Sequence, residues 1–318
     1  IMDLLRKTII GRSILVTGAG GSIGGELCRK IIEFEPKVLV LFEQNEFALY
    51  NIYSEINAAQ ITSGSNTKVR AILGSVQNEK QLSHIFDEYE IELVFHAAAT
   101  KHVPLVEENI FESTTNNVGG TLSLCKAASD SSVQSLILIS TDKAVRPTNV
   151  MGASKRICEL IIQAFNEECS DKIFSFVRFG NVLGSSGSVV PKFQKQIEAG
   201  LPITVTHPEV TRYFMSIEEA SNLVLQAGAL AKGGDAMILD MGKPIKILEL
   251  AKSLINFQGY KPIIKEKGKL NSDILLGSNE RSIQFSGLRP GEKLYEELLI
   301  EAKFDETIHP RIFTAVEK

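Results

Sequence analysis

No apolar run in the sequence approaches the roughly 18 residues that a helix needs to cross a bilayer. The first residues, Ile1-Met2-Asp3-Leu4-Leu5-Arg6-Lys7, also lack the hydrophobic core of a signal peptide. Basic charge is not in excess: 34 Lys and Arg against 38 Asp and Glu give a formal net charge of −4. No basic stripe with interleaved aromatics is present, which argues against a nucleic-acid partner. Lys265, Lys267 and Lys269, around Glu266, read as a solvated loop. The four cysteines, Cys28, Cys125, Cys158 and Cys169, fit no metal-ligand spacing. They read as reduced, buried thiols of a cytoplasmic protein, and no metal is expected. Internal repeats and low-complexity segments are absent. The chain does not begin with Met, and a membrane region upstream of residue 1 is compatible with it.

What is present is a rhythm. Short apolar runs, Ser13–Thr17, Lys37–Phe42, Val69–Leu73, Ile91–Phe95, Ser135–Ile139 and Ile173–Arg178, alternate with helical stretches such as Ser22–Phe34 and Asn45–Ile61. Strands apolar on both faces with helices between them predict a parallel sheet covered on both sides. Six such repeats make a doubly wound α/β fold of the Rossmann type. After about residue 180 the rhythm shortens. Gly180–Gly187 is rich in glycine and serine, and Pro202, Pro208, Pro244, Pro262 and Pro290 punctuate shorter elements. The chain is therefore divided into a dinucleotide-binding domain, residues 1–180, and a smaller α/β substrate lobe, residues 181–318. The lobe is interleaved, with segments near 213–245 returning to the first domain. The apolar face of Ser216–Ala231 (Ile217, Ala220, Leu223, Val224, Ala227, Leu230) packs on the large sheet or at the lobe boundary. Residues 265–284 are polar and aperiodic and receive no assignment.

Gly18, Gly21 and Gly24 lie in Val16-Thr17-Gly18-Ala19-Gly20-Gly21-Ser22-Ile23-Gly24, between the first strand and the first helix. Glycines at that spacing permit the turn, a close approach of backbone to pyrophosphate, and tight packing of helix on sheet. The helix N-terminus, from Gly21 through Ser22 and Ile23, supplies N–H donors and a favourable dipole. Glu43, about twenty residues on, is placed to accept hydrogen bonds from the adenosine ribose and to repel a 2′-phosphate. The cofactor expected is NAD in preference to NADP, with Glu46 the alternative contact. His96-Ala97-Ala98-Ala99 follows the fourth strand, and the small Ala97 and Ala98 let the middle of the cofactor lie against the backbone.

One motif is a near-miss. Enzymes of the short-chain dehydrogenase type carry Tyr-x-x-x-Lys, two residues one helical turn apart. Here Lys155 is present but the tyrosine position is Met151, a thioether that exchanges no protons. Either the chain is inactive, or its acid–base chemistry lies in Thr141-Asp142-Lys143.

Further motifs fall in a familiar order: His96–Pro104, Asn116–Thr121, Ser140–Lys155, Arg178–Ser185, Thr211–Met215 and Arg289–Lys293. Together with Thr17–Gly24 they resemble the nucleotide-sugar 4,6-dehydratases of the extended short-chain dehydrogenases, over residues 10–300. The most similar group is the UDP-N-acetylglucosamine 4,6-dehydratases of bacterial polysaccharide and protein-glycan biosynthesis. That group includes members with Met in place of the tyrosine, often the soluble part of a larger protein with N-terminal membrane helices. The resemblance implies retention of configuration at C5. Two positions depart from the pattern: Ser75 stands where relatives usually carry an adenine-binding Asp, and Thr100 where they often carry Tyr.

The implied reaction oxidises sugar C4, eliminates water across C5–C6 and returns the hydride to C6, so NAD stays bound and is recycled. Asp142 is then the general acid and Lys143 the base, which acts in its neutral form. Thr141 holds a water that relays the C4-hydroxyl proton, Lys155 holds the nicotinamide ribose, and Met151 packs over nicotinamide or sugar. By the same resemblance Lys101 and His102 flank the hexose, and Asn181, Arg212 and Arg289 meet the diphosphate. Glu292 binds the uridine ribose, and the turn containing Val190 holds uracil. His207 and His309 belong to no motif. Relatives associate through the helices at Phe111–Ser129 and Met151–Glu168, so a homo-oligomer is expected. Two other readings stand beside this one. A UDP-sugar 4-epimerase shares the fold and first step but has no use for an Asp-Lys pair. A non-catalytic NAD(H)-binding regulator would be indifferent to Lys143.

Overall fold

The computed structural model describes residues 2–185, 187–265, 277–300 and 303–317; Lys267 and Lys269 of the basic run lie outside them. The chain forms two compact units. The first comprises residues 1–179, 217–240 and 297–318, the second residues 180–216 and 241–296.

The first unit is built on strands β1 (Ser13–Thr17), β2 (Val38–Glu43), β3 (Lys68–Leu73), β4 (Leu93–His96), β5 (Ser135–Ile139) and β6 (Ile173–Arg178). They pair in parallel in the order β3-β2-β1-β4-β5-β6. Ala236–Leu239 extends the sheet in parallel beside β6, and Ile312–Ala315 and Asp305–Glu306 close that side antiparallel. β1 and β4 are buried along their whole length, as strands covered on both faces must be. β3, at the edge, is largely exposed. The chain winds outward from β1 to β3, then crosses back to β4 on the other side of β1. Such a reversal opens a crevice at the carboxyl ends of the two central strands.

The helix Ile217–Leu230 lies on this sheet: a Cβ on its Gly228 would stand 3.2 Å from Ile137 and Phe95 side-chain atoms. That is the large-sheet packing expected of its apolar face. The C-terminal return at 297–318, with its antiparallel strand, lies beyond the return near 213–245 read from the sequence.

In the second unit Lys261–Lys265, Glu280–Phe285 and Ile203–Val205 form a parallel sheet in that spatial order. Its core contains Phe193 and Ile197 from helix Val189–Glu198, and Ala251 and Ile255 from helix Ile247–Phe257. Glu280–Phe285 occupies part of the stretch left unassigned from the sequence; within it only Ser282 and Ile283 are fully buried.

Candidate active site

The crevice between β1 and β4 forms around Gly18. This residue has φ +64°, and a Cβ there would lie 2.7 Å from Ala98 N and Cα. A Cβ on Gly24 would lie 2.1 Å from the Gly18 carbonyl oxygen, so the helix Ser22–Ile32 approaches the turn as closely as backbone allows. The resulting cleft, about 250 Å³, is lined by Gly18, Gly21, Glu43, Ala97, Ala98 and Asn116 among others. A glycine cradle beside the helix start, with N–H donors of the first turn and an apolar opposite wall, fits the pyrophosphate and adenosine of a dinucleotide. Ser22 and Ile23 begin the helix behind that cradle. Gly18→Ala should lower stability by about 1–2 kcal/mol through its left-handed backbone alone. The backbone clash should also cost about tenfold or more in NAD affinity by calorimetric titration; unchanged affinity would refute the cradle.

Glu43 ends β2 at the cleft wall. Its carboxylate accepts from Gly20 N at 3.1 Å and from Gln44 N and Asn45 N at 3.0 Å. It thus ties the glycine turn to the loop after β2 while facing the cleft. Ser75, between the cleft residues Gly74 and Val76, accepts from Gln77 N through its hydroxyl at 3.3 Å.

Behind the cleft is a buried polar cluster. His96 contacts Thr17 Oγ1 at 2.8 Å through Nδ1 and Thr121 Oγ1 at 3.1 Å through Nε2. Burial first, and the charge of Lys155 second, push His96 down to a pKa of about 3. Residues Thr115–Gly119 form a π-helical turn, a local widening found often at functional sites. It turns Asn116 to the cleft and leaves Asn117 to clamp the next loop. The Asn117 side chain accepts from Thr100 N at 2.8 Å and donates to Thr100 O and Ser154 Oγ at 3.0 Å. Thr100 is therefore a loop anchor. Lys101 and His102 follow it, exposed, ahead of helix Val103–Glu108. Neither Asn116 nor Asn117 was assigned a role from the sequence, although two amides inside an apolar helical period were a visible signal.

The low His96 value makes stability depend on pH. The unfolded histidine gains its proton near 6.5 and the folded one only near 3, so between these limits the unfolded state binds more protons and stability falls as pH falls. From pH 7 to pH 5 the loss from this group is about 2 kcal/mol. Urea unfolding should show that slope, and His96→Gln should flatten it; an equal slope in the variant would contradict the assignment.

Beyond β5 the chain enters a tight turn, Asp142–Ala144. Thr141 Oγ1 donates to Asp142 Oδ1 at 2.9 Å, and Lys143 Nζ donates to the same oxygen at 2.8 Å. Asp142 is fully buried and its Oδ2 has no hydrogen-bond partner. The next helix, Val150–Glu168, packs closely on this turn: a Cβ on Gly152 would be 2.2 Å from Lys143 O. Met151 and Lys155, on that helix, are both buried. Desolvation lowers the Lys155 pKa, with Cys158 and Glu159 acting in the opposite direction. The structure thus brings Thr141, Asp142 and Lys143 into one hydrogen-bonded group beside the helix of Met151 and Lys155.

In the second unit, Glu292 Oε1 accepts from Thr206 Oγ1 at 2.9 Å and Arg212 Nη2 at 3.3 Å, while Glu292 Oε2 accepts from Arg289 N at 3.1 Å. Arg212 is buried and also donates to the carbonyls of Thr211 and Leu294. Its guanidinium is held in place by the protein, whereas Arg289 is exposed. Lys192 belongs to the same charged cluster, its pKa lowered by burial first and by Arg289 second. Val190 sits in the first turn of Val189–Glu198, and Asn181 opens the short strand Asn181–Leu183 with its N–H on Tyr213 O at 3.0 Å.

The sheet order, the glycine crevice and the Lys155 helix define an extended short-chain dehydrogenase of the Rossmann class. A dTDP-glucose 4,6-dehydratase from Streptomyces venezuelae, solved with NAD, shares the fold with TM-score 0.72 over 90% of this chain and 87% of that one at 18% identity. The chain belongs to the family described as "Polysaccharide biosynthesis protein", whose model matches residues 14–317. It is 49% identical to the capsular polysaccharide biosynthesis protein CapD of Staphylococcus aureus, over 98% of this chain but 48% of that protein. The chain thus spans about half the length of the first curated relatives it matches. It is 32% identical to a UDP-N-acetylglucosamine 4,6-dehydratase (inverting) of Campylobacter jejuni, over 86% of this chain and 80% of that one. A UDP-glucose 4-epimerase of Rickettsia canadensis is also 32% identical, over 91% and 78%. The structure of Pen from Bacillus thuringiensis superposes with TM-score 0.82 at 32% identity, over 96% of this chain and 88% of that one. The family is one of nucleotide-sugar dehydratases and epimerases. Among the described residues no helix is long and apolar enough to cross a membrane.

Proposed function

We propose that this chain is an NAD-dependent UDP-N-acetylglucosamine 4,6-dehydratase that retains configuration at C5. The observation that carries the reading is the Asp142–Lys143 pair, a buried carboxylate sharing one oxygen with Thr141 and Lys143. An epimerase needs a proton acceptor at O4 only; a dehydratase needs in addition a base at C5 and an acid at the C6 hydroxyl, which are the two groups of this pair.

Gly18, Gly21, Ser22, Ile23 and Gly24 would hold the pyrophosphate, Glu43 the adenosine ribose, Ala97 and Ala98 the central portion, and Lys155 the nicotinamide ribose. Glu43 disfavours a 2′-phosphate, hence NAD over NADP. Held by these residues, NAD would supply the hydride acceptor and donor that a redox-neutral dehydration needs. The protein moves the protons. Thr141 Oγ1 accepts the C4-hydroxyl proton as it passes its own to Asp142. Lys143, as the amine, then takes the C5 proton, and Asp142 delivers its proton to the C6 hydroxyl, which leaves as water. Lys143 finally returns its proton to C5 on the face it came from, which is retention. Protons balance, and Met151 has only to pack.

The second unit supplies the nucleotide contacts in this reading: Arg289, with Arg212 fixed behind Glu292, for the diphosphate, Asn181 beside them, and the Val190 turn for uracil. Lys101 and His102 flank the hexose. The exposed apolar side chains Phe111, Leu122, Ile157 and Leu160 on two neighbouring helical stretches support a homo-oligomer. Four unpaired thiols suit the reducing cytoplasm. Mass spectrometry of the NAD-loaded protein with UDP-N-acetylglucosamine should show loss of one water and no net NADH. A product of unchanged mass and altered C4 configuration would establish the epimerase instead.

A further inference from the structure

The turn bearing Thr141, Asp142 and Lys143 is enclosed by a closed circuit of polar contacts within the first unit. Ser140 Oγ donates to Glu159 Oε1 at 2.5 Å. Glu159 holds Arg178 in a two-pronged pair at 2.7 and 2.6 Å, both side chains fully buried. Arg178 Nη2 meets Glu317 Oε2 at 2.7 Å. Glu317 Oε1 accepts from Ile300 N at 2.9 Å, and Ile300 O accepts from Arg146 Nη2 at 2.6 Å. Arg146 also pairs with Glu297 at 2.8 Å. The circuit therefore starts at the residue before Thr141 and ends three residues after Lys143.

None of these side chains takes part in the proton transfers above, yet four carboxylate or guanidinium groups are committed to the path. Arg146 is held at φ +42°, a backbone conformation that residues with side chains seldom adopt. Such an outlier persists where its surroundings fix it, and here two contacts to 297–300 do so. Glu159 lies one helical turn beyond Lys155, so the same carboxylate that grips Ser140 belongs to the helix of Met151 and Lys155. The path thus fixes the reacting turn to that helix at one end and to the C-terminal segment at the other.

We infer that Ser140, Glu159, Arg178, Glu317 and Arg146 are positioning residues that hold the Thr141–Asp142–Lys143 turn in register with Lys155, with Glu297, Ile300 and Glu317 near the C-terminus as their anchor. The inference rests on the dehydratase reading for its kinetic consequence and on geometry alone for the order of the turn. Removing either end contact loosens the turn while the buried Glu159–Arg178 pair stays whole.

The test compares NAD-loaded wild type with Ser140→Ala and Arg146→Ala; Arg146 is exposed, so its truncation empties no core. Expected in each is a fall in kcat for UDP-N-acetylglucosamine dehydration of about ten- to a hundredfold, the cost of a slightly misplaced reacting group. KM and melting temperature should stay near wild type, and Ser140→Thr and Arg146→Lys should recover most of kcat. Amide hydrogen exchange at Ala144 and Val145, whose N–H groups donate to Thr141 O and Asp142 O within the turn, should quicken in both alanine variants. Wild-type kcat with wild-type exchange overturns the inference. So does a rate loss that tracks melting temperature and that the conservative variants do not restore. If the wild type itself does not dehydrate this sugar, the dehydratase reading fails, and the exchange result alone decides: quickening supports the positioning role and unchanged protection overturns it.

Discussion

Lys143→Ala is expected to lower dehydration by about a thousandfold, within the range of roughly 10²–10⁴ for loss of a positioned acid or base. The lysine amine is the only proton acceptor in the Thr141–Asp142–Lys143 group that remains free of a proton after Asp142 has taken the C4-hydroxyl proton. Without it, oxidation at C4 still has its path through Thr141 Oγ1 and Asp142, 2.9 Å apart. The variant should therefore reduce bound NAD on addition of substrate and stall there, with a nicotinamide absorbance that persists. It should also lose exchange of the C5 proton with solvent deuterium. Full C5 exchange in Lys143→Ala would remove Lys143 as the base. An unreactive nicotinamide in the variant would place Lys143 at C4, as an epimerase-like site would have it.

The second large effect is on folding. Arg178→Leu leaves the Glu159 carboxylate, which is fully buried, facing an apolar side chain, with Arg156 at 3.0 Å as its remaining cation. Breaking one partner of a buried pair costs about 3–5 kcal/mol, much more than the pair's own net contribution, because a charge is left without compensation. For a unit of this size that corresponds to a fall of roughly 10 °C or more in melting temperature. Replacing both members, Arg178→Leu with Glu159→Leu, removes the Glu159 charge but leaves Glu317 with Arg156 at 3.4 Å as its cation, and should recover part of the loss. A single variant within about 1 kcal/mol of wild type in urea unfolding would show that the pair is not as buried as described.

The parts that were legible from sequence are those with a local cause. Ser13–Thr17, Ser135–Ile139 and Ile173–Arg178 fold as the strands their unbroken apolar runs predict, because both faces are covered. Gly18, Gly21 and Gly24 lie in the turn and first helical residues where their spacing put them. Asp142 and Lys143 were visible as neighbours, though not that they share an oxygen with Thr141. Glu280–Phe285 escaped because a six-residue strand whose only apolar residues are Ile283 and Phe285 carries too short a period to detect. Ile312–Ala315 escaped because nothing local announces an antiparallel strand that closes a parallel sheet. The circuit through Ser140, Glu159, Arg178 and Glu317 was hidden for a different reason: its members lie far apart in the chain, and each alone reads as an ordinary polar residue. Arg212 was read as a diphosphate-binding arginine, and only the fold shows its contact with Glu292 at 3.3 Å.

The most direct measurement of the central claim is proton NMR of the NAD-loaded protein with UDP-N-acetylglucosamine in deuterated water, without added reductant. A retaining dehydratase gives a new C6 methyl signal, deuterium at C5, and a C5 coupling that shows the original configuration; these are the expected results. An unchanged spectrum, or inversion at C4 with the C6 hydroxymethyl group intact, would contradict that claim.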